Sequence, residues 1–125
     1  MSIESIIDDF RGEIPGFVST DIVHIESGMS IGGGSVDPNF DASVASASYA
    51  EVVKTNKRAL ELLGLDPHST EDILITTDQV YLLIRMLGTD YYHGLAIARS
   101  GNLGLCRAII KKYATRFLDE IANLS

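Results

Sequence analysis

Apolar residues open the chain at helical spacing: Ile3, Ile6, Ile7 and Phe10, with Glu4, Asp8 and Asp9 on the other face. Ser2 stands where an N-cap belongs, and Gly12 with Ile14-Pro15-Gly16 ends this short helix. Phe17 to Glu26 is rich in β-branched residues and reads as a strand. Ser27-Gly28 is a turn signal, so Met29 to Ser35 returns antiparallel. The run Gly32-Gly33-Gly34 weakens that second strand and marks a bend, an edge or room for a neighbour. Asp41 caps a long helix predicted over Ala42 to Leu63, with Gly64 at its C-terminal cap and Pro67 just beyond. Asp72 to Thr77 is a short strand. Val80 to Leu87 is apolar at nearly every position except Arg85, as a central strand covered on both faces would be. Gly88-Thr89-Asp90 turns into a last strand, Tyr91 to Ala98, and a final helix runs from about Leu103 to Leu124. Short turns between strands predict an α+β fold: an antiparallel sheet of about five strands, with a long central helix and terminal helices packed on it.

The two long helices carry different patterns. In the last, Leu103, Cys106, Ile110, Tyr113, Phe117, Leu118, Ile121 and Leu124 form one stripe, with Leu105 and Ile109 off it. Such a helix covers one surface, its own sheet. In the central helix, Val44, Ala45, Tyr49, Val52, Val53, Ala59, Leu60, Leu62 and Leu63 spread over about 180°, wider than the roughly 100° that covering one sheet requires. Small residues from Ala45 to Ala50 permit close approach by another backbone. The arc fits a helix wedged between its sheet and a loop, or one that also packs on a second subunit. Periodicity leaves open which half faces outward.

Composition narrows the function. The 125 residues suit one domain, 1–125, and 46% hydrophobic with 22% charged residues excludes wholesale disorder. The longest apolar run, Val80 to Ile84, is too short to insert into a membrane. A net charge of -7 argues against nucleic acid as a partner. A single cysteine and no secretory signal pattern point to the cytoplasm.

Catalytic motifs are near misses. From Gly28 four residues lead to Gly33, but Gly34-Ser35 follows where a phosphate loop needs its Lys. Asp37-Pro38-Asn39-Phe40-Asp41 resembles the start of a calcium loop, yet Ala42 replaces the sixth-position Gly and Ser48 the bidentate Glu. His24, His68 and His93 are isolated, Cys106 lies on the buried stripe, and no Gly-x-Ser-x-Gly occurs. The expectation is a non-enzymatic protein with no catalytic, cofactor-binding or metal-binding residues.

Ile14-Pro15-Gly16 leading into a strand, the helix ending at Leu63-Gly64-Leu65, the strand Asp72-Ile73-Leu74-Ile75 and above all Ser100-Gly101-Asn102-Leu103-Gly104-Leu105-Cys106-Arg107 occur in an informative order. From about Ile14 to Leu118 the chain resembles the roadblock / dynein light chain family, which includes bacterial regulators of small Ras-like GTPases. It departs from the family at Glu26-Ser27-Gly28, where an Asp-Gly-type turn is common, and in the glycine-rich strand that follows. The resemblance implies an α/β sandwich that forms homodimers or heterodimers and scaffolds a small GTPase. Carried over by position, the self-association surface comprises Ala45, Tyr49, Val52, Val53, Asn56, Ile73, Ile75 and Thr77. Two rival readings are a secretion-chaperone-like binding protein and a small-ligand sensor domain.

Overall fold

The computed structural model describes residues 2–124. Helix α1 (Ile3–Glu13) is followed by strands β1 (Phe17–His24) and β2 (Ser30–Ser35), then by a 3₁₀ turn (Ala42–Ala45) that leads into helix α2 (Ser46–Leu62). Strands β3 (Asp72–Thr76), β4 (Val80–Leu87) and β5 (Tyr91–Ala98) precede helix α3 (Leu103–Asn123). The strands form one antiparallel sheet in the order β2-β1-β5-β4-β3. The expected α+β sandwich is therefore present.

α1 and α3 share one face of the sheet. Ile6, Ile7 and Phe10 of α1 meet Cys106, Ile110, Tyr113 and Phe117 of α3 over Ile22, Leu83, Leu87, Leu95 and Ile97. Phe10 lies edge-on to Tyr113 and to Phe117, with ring centroids 5.3 and 6.4 Å apart. At the rim, Arg116 reaches Asp9 at 2.9 Å and Lys112 reaches Glu13 at 2.6 Å, and the Tyr113 hydroxyl donates to the same Glu13 carboxylate. Asn102 caps α3 by accepting from the Leu105 amide, and Arg107 grips Asp72 with two nitrogens at 3.2 and 3.3 Å, tying α3 to the start of β3.

The other face is covered by α2 and the 3₁₀ turn that leads into it, over a smaller core of Val23, Ile25, Ala50, Val53, Ile84 and Tyr92. α2 ends in a Schellman motif: the Gly64 amide (φ 73°) donates to Glu61 and the Leu65 amide to Leu60.

Several expectations change. β4 is not central; it is second from the edge, and β5 is the middle strand. Its continuous apolar run arises because Leu83 and Leu87 face α1 and α3 while Ile84 and Met86 face α2. Ile109 joins the α3 core, whereas Leu118 and Leu124 are exposed. The long helix begins at Ser46 rather than Ala42, and Asp41 caps the 3₁₀ turn instead. The glycine run makes room for neighbours. A Cβ on Gly32 would lie 2.7 Å from Ile3 Cγ2, and one on Gly33 would lie 2.6 Å from the Thr20 carbonyl.

Candidate interaction surface

The flanks of α2 differ in chemistry, and its hydrogen bonds orient them. On one flank Lys54 donates to the Glu26 carbonyl at 3.1 Å and Lys57 to the Thr89 carbonyl at 3.2 Å, facing the turns after β1 and β4. On the opposite flank Asn56 Nδ2 donates to Thr70 Oγ1 at 2.7 Å, so this side faces the segment entering β3. At 100° per residue, Ala45, Tyr49, Val52, Ala59 and Leu63 fall on the Asn56 side. Val52 and Leu63 are 40% and 71% exposed. The half of the apolar arc left open by the sequence is therefore the half toward β3.

β3 is an edge strand, paired only with β4. Ile73 and Ile75 lie half-buried on the α2 side, and Leu74 packs toward the α3 core. The strand thus presents a row of unpaired backbone groups beside an uncovered apolar helix flank.

Of the eight residues carried over by position, seven reach the surface and Val53 does not. Ala45, Tyr49, Asn56, Ile73, Ile75 and Thr77 are half-buried, and Val52 is exposed. Val53 is 1% exposed and packs in the chain's own core, so its side chain has no surface to offer a partner. The expected close approach along the small residues of α2 occurs within the chain. The Gly28 turn (φ 70°) lies against Ala47, and a Cβ on Gly28 would meet the Ala47 Cα at 2.9 Å. Ser46 Oγ donates to the Gly28 carbonyl at 2.8 Å, and Tyr92 Oη donates to the Ser46 carbonyl at 3.0 Å.

Two buried titratable groups escaped the sequence reading or were read too blandly. His93 is fully buried between Phe10 and Phe117. Thr20 Oγ1 gives its proton to the Gly94 carbonyl at 2.8 Å, so His93 Nε2 is the donor in its 2.7 Å contact with Thr20. Nδ1 then carries only a lone pair, and burial lowers the imidazole pKa to about 3. Asp21, next to Thr20 on β1, projects onto the α2 face. It is 4% exposed, and burial first, then the charge of Asp41, raises its pKa to about 6. Its one sequence signal is a charge in mid-strand between Ser19-Thr20 and Ile22-Val23. Among the described residues no group of three or more His, Cys, Asp or Glu could hold a metal ion.

This arrangement of helices on an antiparallel sheet is a roadblock-type fold. No family model and no curated protein matches the chain. Solved structures do. MglB from Myxococcus xanthus superposes with a TM-score of 0.86 at 17% identity, covering 98% of this chain and 90% of that one. An MglB with a tetrameric arrangement gives a TM-score of 0.81 at 13% identity, covering 93% of this chain and 85% of that one. A Roadblock/LC7 domain from Streptomyces avermitilis gives a TM-score of 0.76 at 12% identity, covering 94% of this chain and 99% of that one. The fold is of the MglB type. No helix among the described residues is long and apolar enough to cross a membrane.

Proposed function

We propose that this chain is a cytoplasmic, self-associating scaffold that regulates a small Ras-like GTPase by binding and not by catalysis. The observation that carries the proposal is the apolar flank of α2 running beside the unpaired edge of β3. Two copies related by a two-fold axis would satisfy both at once: β3 pairs with β3, and the Val52 flanks cover each other. The fold shared with MglB and with Roadblock/LC7 domains supports the reading, and one MglB is known in a tetrameric arrangement. The same surface in a second copy would explain why so apolar a flank is left open.

The test has two parts. Sedimentation of the purified chain is expected to give a dimer mass at micromolar concentration. The tagged protein is then used to capture partners from its source lysate, in parallel with GDP and a non-hydrolysable GTP analogue. A Ras-like GTPase enriched in one nucleotide condition supports the regulator reading. A monomer mass, or an unfolded export substrate and no GTPase in either condition, overturns it.

A further inference from the structure

The sheet has a second edge, far from β3. Among the described residues β2 pairs only with β1, so its outer side is open. The Val36 amide donates to the Val18 carbonyl, and the register sets Gly34 opposite Thr20 and Gly32 opposite Ile22. Inward-facing and outward-facing backbone groups alternate along an antiparallel strand, so Gly32 and Gly34 bond to β1. Gly33 and Ser35 therefore turn both their N–H and C=O groups away from the sheet. Edges of this kind are commonly blunted by Lys or Pro. The segment Ser30-Ile31-Gly32-Gly33-Gly34-Ser35 carries neither, and Gly33 is exposed.

The charge around this edge is one-sided. On the α2 face a hollow of about 370 Å³ runs along Gly33, Gly34 and Ser35 and is bounded by Asp37, Pro38, Phe40 and Asp41. Asp37 and Asp41 are exposed carboxylates, and among the described residues no Lys, Arg or His lines the hollow. On the α1 face, Glu4 and Asp8 are exposed and fall on the same flank of the helix as Arg11. The Arg11 guanidinium marks where that flank lies: it sits 2.6 Å from the place a Cβ on Gly34 would take, and 4.9 Å from the centroid of the Phe17 ring. Four carboxylates thus flank the edge with one cation among them. The net charge of -7 extends the same attraction for cations to longer range.

We propose that the β2 edge receives an extended segment of a partner protein in which basic residues alternate with apolar ones. The segment adds a sixth strand to the sheet, its backbone pairing with Gly33 and Ser35. Side chains of an added strand alternate between the two faces. The basic set reaches over the hollow to Asp37 and Asp41, and the apolar set lies beside Ile31, which packs toward α1. Charge selects this occupant over a second copy of the chain, because two β2 edges brought together would oppose like carboxylates. The inference does not rest on the regulator reading and survives its failure, since self-association through β3 leaves this edge free.

The probe is the end-blocked heptapeptide Lys-Val-Lys-Val-Lys-Val-Lys, titrated at pH 7.5 into the ¹⁵N-labelled full chain and read by amide chemical shifts. Two control peptides are used, one with Glu in place of every Lys and one with every backbone amide methylated. Saturable shifts centred on Gly33 and Ser35, with slower exchange of those two amides, are expected with the lysine peptide and with neither control. Asp37→Asn combined with Asp41→Asn is expected to weaken binding by about threefold to tenfold, the worth of two exposed ion pairs. Asparagine keeps the cap at position 41, and the control peptides keep the test valid on the unaltered chain even if the double variant misfolds. Equal binding of either control, unchanged affinity in the double variant, or no saturable shift at millimolar peptide would overturn the proposal. Gly33 and Ser35 amides already slow to exchange in the chain alone would assign the edge to a second copy and overturn it as well.

Discussion

The two faces of the sheet are built to different standards. The α1/α3 face carries a continuous core of interlocking aromatic and branched side chains, closed at its rim by ion pairs to Asp9 and Glu13. The α2 face carries six buried hydrophobic residues, a cavity and an exposed apolar flank. Adjoining strands also bury a histidine and an aspartate on opposite faces, His93 on the first and Asp21 on the second. His93 Nε2 donates to Thr20 while Nδ1 has no partner, and Asp21 Oδ1 accepts from Ser30 while its occluded Oδ2 has none. The difference between the faces lies in their packing: one is closed by its own helices, and the other keeps a cavity and an exposed apolar flank.

The largest effect is expected where the packing is tightest. Phe117 is 0% exposed and lies against Phe10, His93 and Tyr113. Phe117→Ala should cost about 3–5 kcal/mol, the range for deleting a fully buried aromatic ring. On the α2 face Val53→Ala should cost less, about 1–3 kcal/mol, because fewer carbon atoms are lost. Chemical denaturation measures both. Equal losses would mean that the two faces contribute alike and would erase the contrast.

The next effect concerns acid. Asp21 has a folded pKa of about 6 against an ordinary value of 3.8, so the folded state binds the proton more tightly than the unfolded one. This group therefore lowers stability above pH 6, and the penalty is relieved as the pH falls through 6 toward 3.8. Asp21→Asn should raise stability at pH 7.5 by up to about 3 kcal/mol, with the gain vanishing near pH 4. His93 runs the other way. Its folded pKa is lowered from 6.5 to about 3, so it contributes stability above pH 6.5 that is lost as the pH falls through that range. The unaltered chain should thus show a shallow stability profile between pH 6.5 and 4, and Asp21→Asn a steeper acid loss. Identical profiles for the two would show that Asp21 is not held in its unpaired state.

The same asymmetry governs what was legible in the chain. Most helix and strand boundaries followed from caps, turns and periodicity, as at Ser2 and Gly64, but the start of α2 did not, because Asp41 caps a 3₁₀ turn. The roadblock-type fold followed from the order of short motifs. Strand order did not, because an unbroken apolar run such as Val80 to Ile84 reports two covered faces and not a central position. The exposed apolar flank of α2 was legible as an over-wide arc, but its orientation depends on contacts such as Asn56 with Thr70, which periodicity does not contain. The burial of Asp21 was not legible from its position in mid-strand. Its burial depends on strands and a loop that are distant in sequence, and a lone mid-strand aspartate has no motif to announce it.

A smaller loss is expected at the turn that steadies α2. Gly28 has φ 70°, and an added Cβ would press on the Ala47 Cα at 2.9 Å. Gly28→Ala therefore combines a left-handed backbone penalty of about 1 kcal/mol with a backbone contact that must shift. The expected total is about 1–3 kcal/mol in denaturation, with α2 loosened at its start and faster amide exchange around Ser46. A neutral outcome would separate the turn from the helix it appears against.

The smallest effect on folding falls on the residue next to the core, and it sharpens the comparison most. Val52 and Val53 are adjacent in sequence and chemically identical, yet one is 40% exposed on the β3 flank and the other 1% exposed beneath α2. Val53→Asp would bury an unpaired charge among Ile84, Tyr92 and Val23, and should unfold the α2 face. Val52→Asp places the charge in solvent, so the isolated chain should change stability by no more than about 0.5 kcal/mol. In a self-associated form the same carboxylate would be trapped between two apolar flanks. Sedimentation of Val52→Asp should then show a folded monomer at concentrations where the unaltered chain is dimeric. A variant that keeps its fold and stays dimeric would place the self-association surface elsewhere and leave the apolar flank of α2 without an occupant.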